Sequence, residues 1–151
     1  MSNQMPIEEI VEILLVEDSL PDIELTKQVL LAGRVANHLH VVRDGEQALA
    51  FLRRQKNFAD APRPDLILLD LNLPRKSGHE VLREIKADGD LKPIPVVVLT
   101  TSASETDIVK AYTEQANSYL TKPVDFHQFA EVINGIAEYW FVLVKLPPRL
   151  E

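Results

Sequence analysis

The chain has no cysteine among its 151 residues. That excludes disulfides, a thiolate nucleophile and a cysteine-ligated metal, and it fits a reducing compartment. No apolar run approaches the roughly 18 residues that a membrane-spanning helix needs. The N-terminus has no basic segment followed by an apolar run, so no signal peptide is expected. Glycine is sparse, at five residues. No glycine-rich phosphate loop is present, which disfavours nucleotide-binding folds and a flavin protein alike. Positive charge is also short: 16 Lys and Arg against 23 Asp and Glu leave a net charge of -7. That argues against a general nucleic-acid or anionic-membrane surface, though not against a small local patch. The four histidines, His38, His40, His79 and His127, are scattered without metal-ligand spacing. A soluble cytoplasmic protein is expected, with neither nucleic acid nor membrane as partner.

What is present is apolar residues, at 46% of the chain, enough for one domain with a real core. They fall into short blocks. Leu66-Ile67-Leu68-Leu69 is flanked by Asp65 and Asp70. Such a block is too short for a membrane and too dense for a surface strand, so it reads as a buried parallel strand over Asp65 to Leu69. Ile13-Leu14-Leu15-Val16 is a second block, within a strand from about Ile10, and ends on Glu17-Asp18. Val96 to Leu99 is another, ending on Thr100. Weaker strands are expected at His38 to Val42 and Ser118 to Leu120.

Helical patterns alternate with these strands. Ser19 is a suitable cap for a helix over Leu20 to Ala32, with Pro21 in its first turn, Asp22 at its third position and Gly33 at its end. Further helices are expected over Gly45 to Arg54, His79 to Ala87 and Glu105 to Gln115, and from near Asp125. Alternation of this kind predicts an α/β, doubly wound, five-stranded parallel sheet with helices on both faces. The flavodoxin-like order 2-1-3-4-5 is available to it. In that order strands one and three are neighbours, and ligands bind at the carboxyl edge where the order reverses.

That order brings Glu17, Asp18 and Asp70 into one crevice, with Thr100 and Lys122 on the same rim. Three carboxylates together repel each other unless a cation is present. Mg2+ suits a site of few carboxylates plus waters and phosphate oxygens. A carboxylate nucleophile, a metal, a lysine and a hydroxyl make a site for a phosphoryl group. Taken singly, each residue has a structural explanation as a cap, turn or solvated side chain. Their shared edge is what points to function.

These residues also carry a resemblance. From about Ile10 to Tyr139 the chain resembles the receiver domains of two-component response regulators, through Glu17-Asp18, Asp70, Thr100 and Lys122-Pro123. The resemblance implies that Asp70 is the phosphoacceptor for a histidine kinase. It implies Mg2+, with Mn2+ able to substitute, held by Asp18, Asp70, the Asn72 backbone carbonyl and Glu17, directly or through a water. It implies that Thr100 turns toward the phosphate, that Tyr119 is an aromatic switch, and that the Lys122-Pro123 bond is cis. Glu17 departs from the frequent Asp by one methylene, and metal binding should survive. The Asn72-Leu73-Pro74-Arg75-Lys76-Ser77-Gly78 turn, the long loop before Asp65 and the tail after Trp140 resemble the single-domain regulators paired with bacterial and cyanobacterial phytochromes. That implies a phytochrome-type sensor histidine kinase as partner.

Domain boundaries follow: a lead-in over 1–9, a receiver over 10–140 and an apolar tail over 141–151. Tyr139 to Leu146 is apolar nearly all round. It either folds back on its own domain or forms an interface, for dimerisation or for kinase docking, through the last helix. A homodimer through the last helix and the tail, with Tyr139, Phe141 and Val142 at the interface, is expected. Such a protein is not an enzyme with a separate substrate. Other readings of the same residues are a phosphorelay shuttle to a histidine phosphotransfer protein and a phosphate-independent interaction module.

Overall fold

The computed structural model describes residues 10–33, 36–100, 116, 118–121, 127, 131 and 135, with the backbone alone at Thr100 and 118–121. The apolar blocks form strands β1 (Val11–Val16), β2 (Asn37–Val42), β3 (Leu66–Asp70), β4 (Val96–Thr100) and β5 (Ser118–Thr121). All neighbours are parallel, in the order β2-β1-β3-β4-β5. Helices α1 (Leu20–Ala32), α2 (Gly45–Leu52) and α3 (Gly78–Ala87) connect the first four strands. The parallel α/β class with helices on both faces, expected from the alternation, is the one observed.

Side chains alternate along a strand, so each strand feeds two cores. Ile13, Leu15, Leu66, Leu68, Val97 and Leu99 pack on one face with Ile23, Val29 and Leu30 of α1. Leu14, Val16, Ile67, Leu69, Val96 and Val98 pack on the other with α2 and α3. Every residue of β3 is buried, as a central strand covered on both sides requires. Fully burying one such Leu or Ile contributes roughly 1.5–3 kcal/mol. Among the described residues, no helix is long and apolar enough to cross a membrane.

Helix ends follow local chemistry. Ser19 accepts from the Asp22 N–H at 3.3 Å, and Asp44 caps α2 through the Gln47 N–H at 2.8 Å. Ser77 and Glu80 form a reciprocal capping box on α3. That box starts α3 at Gly78, one residue earlier than the periodicity suggests. α2 stops at Leu52, before the expected Arg54. The Gln55 N–H reaches the Ala50 carbonyl and the Arg54 N–H the Phe51 carbonyl. This is a Schellman ending with Arg54 left-handed, at φ 55°, in the position glycine usually takes. Gly33, by contrast, caps α1 with extended backbone, φ -75° and ψ 172°.

The loop before β3 contains a 3-10 turn, Lys56–Phe58, and Phe58 and Ala61 pack against the core. Asp65 lies just outside β3. Its N–H donates to the Glu12 carbonyl and its carboxylate accepts from the Glu12 N–H at 2.9 Å. Asp70, expected just past the strand, is instead its last residue. The helix expected over 105–115 lies outside the described residues. Of the last helix, His127, Glu131 and Gly135 are described, and all three are helical and exposed.

Candidate functional site

The ends of β1 and β3 lie side by side. Val16 pairs with Leu69, so the next residues along, Glu17 and Asp70, meet the same edge. Both are buried, at 0% and 4% exposure. Two buried carboxylates at neighbouring strand ends are costly unless hydrogen bonds or cations compensate them. Part of that compensation is local. Glu17 Oε2 accepts from the Ser19 N–H at 3.1 Å, at the start of α1. There the helix dipole also favours negative charge. Asp70 Oδ1 accepts from the Asn72 N–H at 3.1 Å.

The β3–α3 loop is folded tightly over Asp70. The Leu71 N–H continues the ladder to the Leu99 carbonyl, and the Gly78 N–H donates to the Leu71 carbonyl at 3.1 Å. Gly78 has no room for a side chain: a Cβ there would run into the Asp70 carbonyl oxygen. Gly45 at the start of α2 meets the Lys76 carbonyl in the same way. Gly78 was expected to close a turn and Gly45 to open a helix. Neither has positive φ, and close approach is the reason for both.

Asp18 behaves differently from its neighbour. Its side chain is half-exposed, and its Oδ1 lies 3.8 Å from Arg43 Nη2. The same guanidinium nitrogen donates to the Asp18 carbonyl at 2.8 Å. In the β3–α3 loop, Arg75 has a left-handed backbone, φ 71°, and its Nε lies 3.4 Å from Asp44 Oδ2.

The expected site residues therefore separate into three groups. Glu17, Asp18, Asp70 and Asn72 are brought to one edge. Thr100 ends β4 beside Thr121, one residue past the Leu99 that pairs with Asp70, and Tyr119 lies in β5. Lys122, Pro123, Tyr139, Phe141 and Val142 lie outside the described residues. Among the described residues, no three His, Cys, Asp or Glu side chains converge as a metal site. Asp18, turned to Arg43, is half-exposed while Glu17 and Asp70 are buried. The donor chemistry nonetheless fits a hard divalent cation: two buried carboxylates, a half-exposed third and the Asn72 carbonyl are all oxygen donors. Arg43 and Arg75 were not anticipated. Their cue was only a basic residue beside each loop, which chain order alone does not connect to an acid.

Over residues 13–134 the sequence matches the response regulator receiver domain. The chain belongs to that family. The response regulator Rcp1 of Synechocystis sp. is 49% identical over 135 residues, spanning 89% of this chain and 92% of that protein. Two solved structures agree. The phosphorylated cyanobacterial phytochrome response regulator RcpA is 47% identical with a TM-score of 0.81, over 93% of this chain and 100% of that one. The Mn2+-bound form of Rcp1 is 48% identical with a TM-score of 0.80, over 91% and 99%. This receiver is closely related to the phytochrome-associated single-domain regulators. It is a phosphoacceptor that signals through protein contacts, not an enzyme acting on a separate substrate.

Proposed function

We propose that Asp70 receives the phosphoryl group from a phytochrome-type sensor histidine kinase. The observation that carries this reading is a buried carboxylate ending the central strand, in step with Glu17 on β1. An Asp70 carboxylate oxygen attacks the phosphorus of a phosphohistidine; the P–N bond breaks, an acyl phosphate forms, and the imidazole leaves with a proton. Asp18, Asp70, the Asn72 carbonyl and Glu17, directly or through a water, would hold Mg2+ or Mn2+. When bound, such an ion would supply positive charge that offsets these carboxylates and the phosphoryl group. The Mn2+-bound form of Rcp1 supports that choice, and RcpA, a phytochrome regulator, supports the choice of kinase.

The remaining roles complete the reading. Lys122, before a cis bond to Pro123, pairs with the new phosphoryl oxygens. Thr100 turns toward them and Tyr119 moves into the vacated space, which repacks the surface around β5. The receiver runs over 10–140 as a doubly wound five-stranded unit, between the lead-in 1–9 and the tail 141–151. The last helix and Tyr139, Phe141 and Val142 pair two copies. The chain works in the cytoplasm and needs neither nucleic acid nor a membrane.

The test is intact-mass spectrometry after incubation with acetyl phosphate and Mg2+. A single phosphoryl adduct is expected, labile to hydroxylamine and lost in Asp70→Asn. No adduct at any Mg2+ concentration would return the chain to a phosphate-independent interaction module.

A further inference from the structure

We propose that Arg43 sets the affinity of the receiver for its divalent ion by competing for Asp18. The inference rests on the reading that Asp18 is a ligand of that ion, and it assigns Arg43 as a positioning residue acting through Asp18.

The placement follows from the sheet. β2 is paired with β1 along its length, ending Val16 with Val42, and the Glu17 N–H still donates to the Val42 carbonyl. The chain therefore delivers Arg43 beside Asp18. Two contacts of unequal strength result. The bond from Nη2 to the Asp18 carbonyl, at 2.8 Å, has normal hydrogen-bond length. The approach to the carboxylate, at 3.8 Å, is a loose ion pair. The first contact anchors the guanidinium to the backbone, which need not move. The second engages the carboxylate and can be broken without releasing the anchor. Arg43 is further fixed at its own N–H, which donates to Gln47 Oε1 of α2 at 3.3 Å.

A ligand held this way is available at a small cost. Asp18 and Arg43 are about half exposed, and exposed ion pairs of this type are weak and screened by salt. Binding the ion then requires Asp18 to exchange Arg43 for the cation. Removing the competitor should tighten binding by about two- to fivefold at low salt, with the gain shrinking as salt rises. Bulk repulsion between Arg43 and the ion would give the same sign, so charge and contact must be separated. Lysine keeps the charge, but its Nζ is one bond nearer the backbone than the Nη2 that makes both contacts, so it weakens them while leaving the charge in place.

The measurement is Mn2+ affinity of the full chain, by calorimetry or by the electron paramagnetic resonance of free Mn2+. Wild type is compared with Arg43→Gln, Arg43→Lys, Asp18→Asn and the Asp18→Asn/Arg43→Gln double variant. Urea midpoints of all five confirm that each is folded. Expected are tighter binding in Arg43→Gln, most of that gain in Arg43→Lys, and no gain from Arg43→Gln once Asp18 is Asn. Equal or weaker binding in Arg43→Gln, with Asp18→Asn still weakened, overturns the proposal alone. An Arg43→Lys affinity equal to wild type overturns it in favour of bulk charge. Equal affinity of wild type and Asp18→Asn removes Asp18 from the ligand set, and the proposal with it.

Discussion

Gly78 abuts the backbone of the residue that carries the chemistry. A Cβ there would collide with the carbonyl of Asp70 and the Cα of Leu71, so a methyl group must displace either α3 or the end of β3. Both are packed among fully buried neighbours, and neither can yield cheaply. Gly78→Ala is expected to destabilise the fold by about 1–3 kcal/mol, read as a lower urea midpoint. It should also slow acetyl-phosphate labelling of Asp70, because the carboxylate rides on the displaced backbone. An unchanged labelling rate in a destabilised variant would show that the carboxylate position is independent of that contact. The carboxylates themselves were legible in the sequence, since acids that end apolar blocks stand out. Gly78 and Arg43 were not. Their partners are the backbone oxygens of Asp70 and Asp18, which carry no signature in the sequence.

At the scale of elements, capping decides where α3 begins and hence how the loop over Asp70 is held. The Ser77 hydroxyl and the Glu80 carboxylate each accept one backbone N–H of the first turn. Ser77→Ala should cost about 1 kcal/mol of stability in urea denaturation, with a smaller loss in Ser77→Gly. The Ser-x-x-Glu pattern is present in the sequence, but its first residue lies inside the stretch read as a turn through Gly78.

The edge strand β2 has its own device. Glu12 of β1 meets His40 Nε2 at 2.8 Å and His38 Nδ1 at 3.1 Å. Burial pushes the Glu12 carboxyl up, but the hydrogen bonds and positive charge of His40 and His38 outweigh it and hold it below its ordinary 4.5. A carboxyl lowered in the folded state stabilises the fold above its unfolded value. That contribution is lost as pH falls through the lower, folded value. Urea midpoints from about pH 5 down to about pH 3 should therefore fall less steeply in Glu12→Gln than in wild type. Equal slopes would mean that the clamp does not outlast the first protonation. Histidines with no metal spacing in the sequence are thus joined by strand register, which pairs Glu12 directly with His38.

For the molecule as a whole, alternation made the α/β class readable, because parallel strands need crossovers and crossovers of this length are helices. The tail poses the opposite problem. Tyr139 to Leu146 has one charged residue in eight, and a segment on a domain surface can bury only one side against its own core. The other side needs water, a partner or a second copy, and symmetric pairing is the commonest solution. A stable dimer needs roughly 1,200–2,000 Å2 of total buried surface, more than three side chains per copy supply, so the last helix must take part. Sedimentation equilibrium of the full chain is expected to give a dimer. Tyr139→Ser with Phe141→Asp and Val142→Asp should give a monomer that still takes one phosphoryl group. A wild-type monomer at about 100 μM, a concentration that would populate even a weak micromolar dimer, would mean that the tail covers its own domain. The same variant would then lose stability instead of changing mass, because charges would be forced against a core they had been shielding.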